Sequence, residues 1–229
     1  VDLKTFDEQV KGIAALENPI SRGAYRLVIE HGWISRDAAA EALEIARSVA
    51  AFHLEKLVDA GLLKVRYERT SGRTGPGAGR PTKFYGRSTR AFDLSLPPRR
   101  YGLAGSLLAD AVVRAESDGT PIAEAVSQVA REAGELAGAE CANARSGSAR
   151  GLALIDVLEQ NGYEPKQDGR EIALLNCPFD ALAEQQRDLV CGMNLDFLTG
   201  VVKGVGSANS FAPRLAPEPG YCCVRLDVS

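Results

Sequence analysis

The sequence lacks most of the features that declare a chemistry unaided. No apolar run approaches the roughly 20 residues needed to cross a bilayer. The opening stretch VDLKTFDEQV has neither the basic start nor the apolar centre of a signal peptide. The expectation is therefore a cytoplasmic protein without a membrane partner. Histidine is nearly absent, with only His31 and His53 in 229 residues. Neither has a cysteine or serine neighbour that would make a nucleophile–base pair. There is no Walker loop and no dinucleotide fingerprint. The GPGAG turn at residues 75–79 is broken by proline and leads into a strand, where a phosphate loop leads into a helix. These absences argue against an enzyme. Five cysteines are too sparse, and odd in number, for a secreted disulfide framework. No internal repeat or low-complexity tract is present.

What remains is a globular composition, 45% hydrophobic with net charge −3, long enough for one large or two small domains. The charge is unevenly placed. Residues 62–100 hold ten Lys and Arg against Glu68 and Asp93, so the rest of the chain is acidic. A basic segment on an acidic chain suggests a polyanionic partner; the bland alternative is a solvated loop.

Local patterns organise the first hundred residues. A helix is expected over 22–31, ended by Gly32. Ser35 is a natural N-cap for a second helix in ISRDAAAEALEI. A third follows in ARSVAAFHLEKLVDAG, with Ala46, Ala50, Leu54, Leu57 and Val58 on one face and Gly61 at its end. Its opposite face carries Ser48, Ala51, Phe52, Glu55 and Lys56. The alternating LLKVRYERT predicts a strand, SGRTGPGAGRPT a glycine-rich turn, and KFYGRS a returning strand. Three helices followed by a hairpin with a long basic loop make a winged helix-turn-helix. Its third helix would enter a major groove about 12 Å wide. The expected partner is double-stranded DNA. The expected contacts are Ser35, Arg36, Arg47, Ser48, Ala51, Phe52 and Lys56 from the helices, and Arg73, Arg80 and Lys83 from the wing. Phe52 suits a thymine methyl or, alternatively, a dimer or domain contact.

SVAAFHLEKLVDAGLLKV with the later GRPTKFY resembles the winged-helix regulators of the ArsR-like class, over residues 19–88. The resemblance implies the fold and DNA binding.

Pro97 and Pro98 mark a boundary. The expected fold class is α+β: a DNA-binding domain at 1–95 and a sensor and dimerisation domain at 96–229. The second domain is expected to hold helices in 101–117, 120–144 and 149–160. A hairpin turning at QDG, a long helical stretch at 179–206, a proline-rich coil and a last strand in YCCVRLDV complete it. A single winged helix covers little DNA, so a homodimer is expected, joined through the apolar helices of 101–144.

Four of the five cysteines fall in the last quarter: Cys177, Cys191, Cys222 and Cys223. They have three readings: metal or cluster ligands, a redox switch, or buried thiols. Their spacing lacks the close pairs of zinc sites and by itself favours core. The phrases NCPF, VCGMN and GYCCV resemble the second domain of the SufR family of iron–sulfur-sensing repressors. That resemblance implies an iron–sulfur cluster held by Cys177, Cys191 and one of Cys222 and Cys223, and a repressor responding to it. One branch of that family has a further cysteine in the interval that lacks one here. A fourth ligand would then be a nitrogen, an oxygen, a small thiol or the partner subunit. The alternative is a regulator with a non-metal effector and structural cysteines. Cys141 is expected in the core.

Overall fold

The computed structural model describes residues 3–69, 81–144 and 150–229. The chain mixes helix with two small antiparallel sheets. It divides into two compact units, residues 2–94 and 95–229.

The first unit begins with α1 (Leu3–Ala14) and α2 (Pro19–His31). Asn18 starts α2 by accepting the backbone N–H groups of Ile20 and Ser21, with proline at the first helical position. A short strand, β1 (Trp33–Ser35), leads into α3 (Arg36–Ala42), which Ser35 caps through the N–H of Ala38 at 3.1 Å. Helix α4 (Arg47–Asp59) buries Ala50, His53, Leu54 and Leu57. It stops at Gly61, whose φ of +77° favours glycine and lets the Leu62 N–H return to the Leu57 carbonyl at 2.9 Å. Strands β2 (Leu63–Glu68) and β3 (Thr82–Arg87) then pair, and β1 joins the other edge of β3 to give the order β1-β3-β2. The wing positions Arg73 and Arg80 lie outside the described residues. The core gathers Val28, Ile34, Ala39, Leu54, Leu57, Leu63 and Tyr85.

The second unit has three long helices, α5 (Tyr101–Asp118), α6 (Ile122–Ala144) and α7 (Arg150–Gln160). Strands β4 (Pro165–Asp168) and β5 (Glu171–Leu174) follow as a hairpin. The expected long helix is two, α8 (Asp180–Gln185) and α9 (Arg187–Gly204), broken where Gln186 takes φ −135° and ψ 61°. The expected proline-rich coil holds a strand, β6 (Phe211–Leu215), which pairs with β7 (Val224–Val228). The sheet order is β4-β5-β7-β6, so β6 is an edge strand, where Pro213 costs no interior ladder bond. Parallel neighbours α6 and α9 approach through Gly134 and Gly138 on one and Gly200 and Gly204 on the other. Ion pairs Arg131–Asp196 and Lys203–Glu135 flank that contact, both at 2.7 Å. Among the described residues no helix is long and apolar enough to cross a membrane.

Candidate functional site

Three separate stretches of the second unit bring four sulfurs together. Cys177 sits in the loop between β5 and α8. Cys191 is on the second turn of α9. Cys222 and Cys223 form the irregular lead-in to β7. That lead-in is fixed on both sides: the Cys222 N–H bonds the Leu174 carbonyl of β5, and the Cys223 carbonyl accepts from the Ala216 N–H, both at 2.8 Å. A regular strand sends successive side chains to opposite faces. Here the backbone is not yet strand, and both sulfurs reach the same neighbours. The four thiols are close enough to perturb one another's ionisation, Cys222 acting on Cys177 and Cys223, and Cys223 on Cys191. Cys191 and Cys222 are buried and the other two half-buried.

The electrostatics follow from that proximity. The Cys222 thiol beside it holds Cys223 down to about 6; the thiol of Cys191, the Asn194 amide and its own backbone N–H add to this, while burial opposes it. Cys177 is lowered by the Cys222 thiol, with further help from the Phe179 backbone N–H. Cys222 is raised because its proton is held between Cys177 and Cys223. Burial, and then the bond to Cys223, pushes Cys191 up to about 12. The readily ionised sulfurs are thus Cys223 and, less so, Cys177, while Cys191 and Cys222 keep their protons.

Two polar residues serve the site. Asn194, on α9, is fully buried and directs its amide N–H at Cys222 Sγ at 3.2 Å, with Cys223 Sγ at 4.0 Å. The hydroxyl of Tyr163, itself buried after α7, donates to Asn194 Oδ1. A second network holds the Cys177 loop. Arg99 donates to Asn176 Oδ1, to the Cys177 carbonyl at 3.1 Å and to Asp180 at 3.2 Å. The buried Asn176 amide bonds the carbonyls of Pro98 and Gly162, and the Arg100 N–H bonds the Pro178 carbonyl at 2.9 Å. Sequence reasoning did not single out Asn194, Tyr163, Asn176 or Arg99. Asn194 did leave a trace, as a polar residue on the stripe Val190, Phe197, Val201.

The residue types, four thiols with the Asn194 amide beside two of them, are ones that can ligate iron. They do not suit a single ion as they stand. Among the described residues no group of three or more His, Cys, Asp and Glu side chains is arranged to hold one. Cys141 is apart from these thiols: it lies on α6 and donates to the Ala153 carbonyl at 3.5 Å. It borders an open concavity of about 520 Å³ that Arg100, Glu140, Asp156 and Gln160 also line.

In the first unit, Arg47, Ser48, Phe52 and Lys56 stand along the exposed side of α4, with Ala51 half-buried between them. Phe52 is 66% exposed, unusual for a phenylalanine without a partner surface. Arg36 and Arg47 both approach Asp37, at 3.1 and 3.5 Å, and remain exposed. Ser35 spends its hydroxyl on the cap. Lys83 is committed within the unit, bonding both oxygens of Glu55 at 2.5 and 2.7 Å. Glu55 also accepts from the Tyr85 hydroxyl at 2.6 Å. Several charges of the basic segment are likewise matched: Arg66 by Glu68, Arg90 by Glu8 and Arg99 by Asp180. Arg66 also stacks over Trp33 at 4.1 Å.

No protein-family model, curated protein or solved structure matches this chain.

Proposed function

We propose that the protein is a sequence-specific DNA-binding transcriptional repressor that senses through an iron–sulfur cluster held by Cys177, Cys191, Cys222 and Cys223. The convergence of four thiols from three distant stretches carries the reading. When bound, the cluster supplies a redox- and oxygen-labile centre whose presence reports iron–sulfur status. The chain's own residues supply the thiolates, the N–H donors to sulfur and the exclusion of water.

In this reading the first unit is a winged helix-turn-helix. The order α2, α3, α4 and then the β2–β3 hairpin supports it, as does the exposed row of Arg47, Ser48, Phe52 and Lys56 on α4. Arg47 and Lys56 meet phosphates, and Ser48 and Phe52 meet base edges. Lys83 is assigned to Glu55, not to DNA. The protein acts as a homodimer on paired half-sites. Val112, Val113 and Ile122, with Leu136 on α6, are exposed and supply apolar contact area for a second copy.

The test is anaerobic purification with an absorption spectrum and iron and sulfide analysis, followed by selection of bound sequences from a random DNA library with and without cluster. A brown protein with stoichiometric iron and sulfide, whose selected DNA affinity changes on cluster loss, is expected. A colourless, iron-free protein after anaerobic reconstitution refutes the cluster.

A second reading rests on the mutual influence of the four neighbouring thiols. Four neighbouring sulfurs that perturb one another's ionisation suit a thiol–disulfide switch, with Cys223 as the most readily ionised member. Mass spectrometry of the oxidised, iron-free protein would then show loss of hydrogens in pairs, with DNA affinity following that loss.

A further inference from the structure

We propose that Glu55 is a base-reading residue of the α4 face, its carboxylate held by Lys83 and Tyr85 so that it accepts a hydrogen bond from cytosine in the major groove. The inference rests on the DNA-binding reading above and deepens it, and it makes no use of the sulfurs.

The argument begins with a charge of the wrong sign. On α4, Arg47, Ala51 and Glu55 follow one another at four-residue intervals, beside the row of Ser48, Phe52 and Lys56. A carboxylate on a helix face that meets a polyanion is repelled unless it is neutralised locally or gains a specific partner. Lys83 neutralises this one. Its ammonium bonds both carboxylate oxygens, at 2.5 and 2.7 Å, and lies over the Tyr85 ring at 5.3 Å. Tyr85, 2% exposed, adds its hydroxyl to Oε1 at 2.6 Å. Both partners stand two residues apart on β3, hence on one face of it. One strand thus fixes the end of a side chain that would otherwise be free to turn, and a group already fixed loses little entropy on binding. Burial raises the pKa of Glu55, but the bonds from Lys83 and Tyr85 and the Lys83 charge outweigh it and leave the value lowered. The group is an anion, and an anionic carboxylate only accepts.

The geometry leaves an acceptor to spare. Among the described residues, Oε1 takes two bonds and Oε2 one. A carboxylate has about four lone-pair sites, so Oε2 keeps one. The side chain is 44% exposed, and Ala51, one turn earlier, is too small to hold the helix away from a groove. An acceptor needs a donor. Cytosine offers one at its major-groove edge, the N4 amino group, with no acceptor beside it. Adenine sets N7 next to its amino group, and guanine and thymine present acceptors only. A carboxylate fixed at this edge therefore favours cytosine and is opposed by the other three bases.

The experiment selects bound sequences from a random double-stranded DNA library with the full-length parent, Glu55→Gln and Glu55→Asp, prepared anaerobically in the same way and at one salt concentration. In Glu55→Gln the side-chain oxygen stays with the two donors and the amide NH2 turns outward, so an acceptor becomes a donor. The parent should select cytosine at one position of each half-site, by about fivefold or more, the lower end of what one good base contact gives. Glu55→Gln should lose that preference and move to a base with an acceptor at that position alone. Glu55→Asp, one methylene shorter, should lose it without gaining another, and serves alone if Glu55→Gln does not fold. The contrary result is a parent and variants that select the same bases at every position. Tighter binding of Glu55→Gln to all sequences, with a steeper salt dependence and unaltered base preference, is equally contrary: Glu55 then only ties β3 to α4 and withholds Lys83 from phosphates. Either overturns the inference while DNA binding stands. If the parent selects no sequence, both fall.

Discussion

Helix α9, which carries Cys191 and Asn194, is fixed against α6 by glycines, and that contact yields a quantitative prediction. A Cβ built on Gly200 would lie 2.1 Å from the Arg131 carbonyl oxygen and 2.8 Å from the Glu135 nitrogen. On Gly134 it would lie 1.9 Å from the Phe197 carbonyl oxygen. All of these obstacles are backbone, so no side chain can swing aside. Replacement by alanine must move one helix off the other by more than an ångström, and it does so along the seam that Gly138 and Gly204 share. Overpacking costs about 1–3 kcal/mol, occasionally more, and a rigid-body shift of two backbones belongs at the upper end. Alanine returns about 1 kcal/mol of helix propensity. The expected net loss for Gly200→Ala is about 2 kcal/mol, and similar for Gly134→Ala.

The control is on the same helix. A Cβ at Gly192 meets nothing within 4 Å, so Gly192→Ala keeps the propensity gain and stabilises by up to about 1 kcal/mol. Identical substitutions eight residues apart should therefore differ in sign. Urea denaturation followed by far-UV circular dichroism, at one protein concentration, measures both. The single tryptophan, Trp33, lies in the first unit and supplies a separate signal for it. A Gly200→Ala protein as stable as Gly192→Ala would show that the helices are not in backbone contact.

Other perturbations test other parts. Glu55→Gln loosens the links to Lys83 and Tyr85 and should cost about 1 kcal/mol or less, since the pair is partly exposed. The pKa of Glu55 is lowered by the hydrogen bonds to Lys83 and Tyr85, against opposition from burial. Its contribution is thus complete above the usual carboxylate range and fades as pH falls through the depressed value, visible as acid-dependent loss of stability that Glu55→Gln lacks. Arg47→Ala should lower affinity for all DNA sequences and flatten the salt dependence by about one unit of slope, measured by fluorescence anisotropy; an unchanged slope refutes the contact. Cys177→Ser and Cys191→Ser should abolish the chromophore after reconstitution while Cys141→Ser keeps it. Sedimentation at micromolar concentration should give a dimer, and Val113→Glu, on the exposed side of α5, should shift it toward monomer.

How much of this was legible before the fold differs by element, for physical reasons. Helices α3 and α4 were readable because Ser35 and Gly61 mark a start and an end and the alanine and leucine positions repeat at helical spacing. Strand β1 was not: three residues carry no period, and the strand exists only because β3 offers an edge. Helix α1 carried a signal in Phe6, Val10 and Ile13, yet it falls outside the elements the pattern predicts. Strand β6 was hidden by Pro213, which reads as coil until the strand is known to lie at an edge. The cysteines drew attention by their number in one quarter of the chain. That Cys222 and Cys223 both enter the site was not readable, because alternation in a strand argues against it and only the irregular backbone before β7 permits it. The ion pairs that occupy Lys83, Arg66 and Arg90 were equally invisible, since each partner except Glu68 is remote in sequence. Charge counted along a chain overstates charge offered at a surface.

In the proposed regulator, the route by which a sulfur centre would act on the rest of the chain depends on what each cysteine is attached to. Cys191 lies on α9, which the glycine seam locks to α6, so its backbone resists displacement. Cys222 and Cys223 are tied to β5 and to Ala216 by ladder-like bonds. Cys177 is different. Its loop is irregular, and its carbonyl, with those of Pro178 and Pro98, belongs to one hydrogen-bonded set with Asn176, Arg99 and Arg100. Arg99 and Arg100 lie five and six positions beyond Leu94, where the first unit ends. Parting the thiols to admit a cluster costs least where the backbone is least constrained by regular structure, which is at this loop. A displacement there would act on the bonds to residues 98–100. In the proposed regulator, Cys177 is accordingly the ligand whose movement reaches the chain between the units. Removing the Arg99 side chain (Arg99→Ala) should leave the chromophore in place while shrinking the difference in DNA affinity between cluster-bound and cluster-free protein. An unchanged difference would send the route through α9 instead.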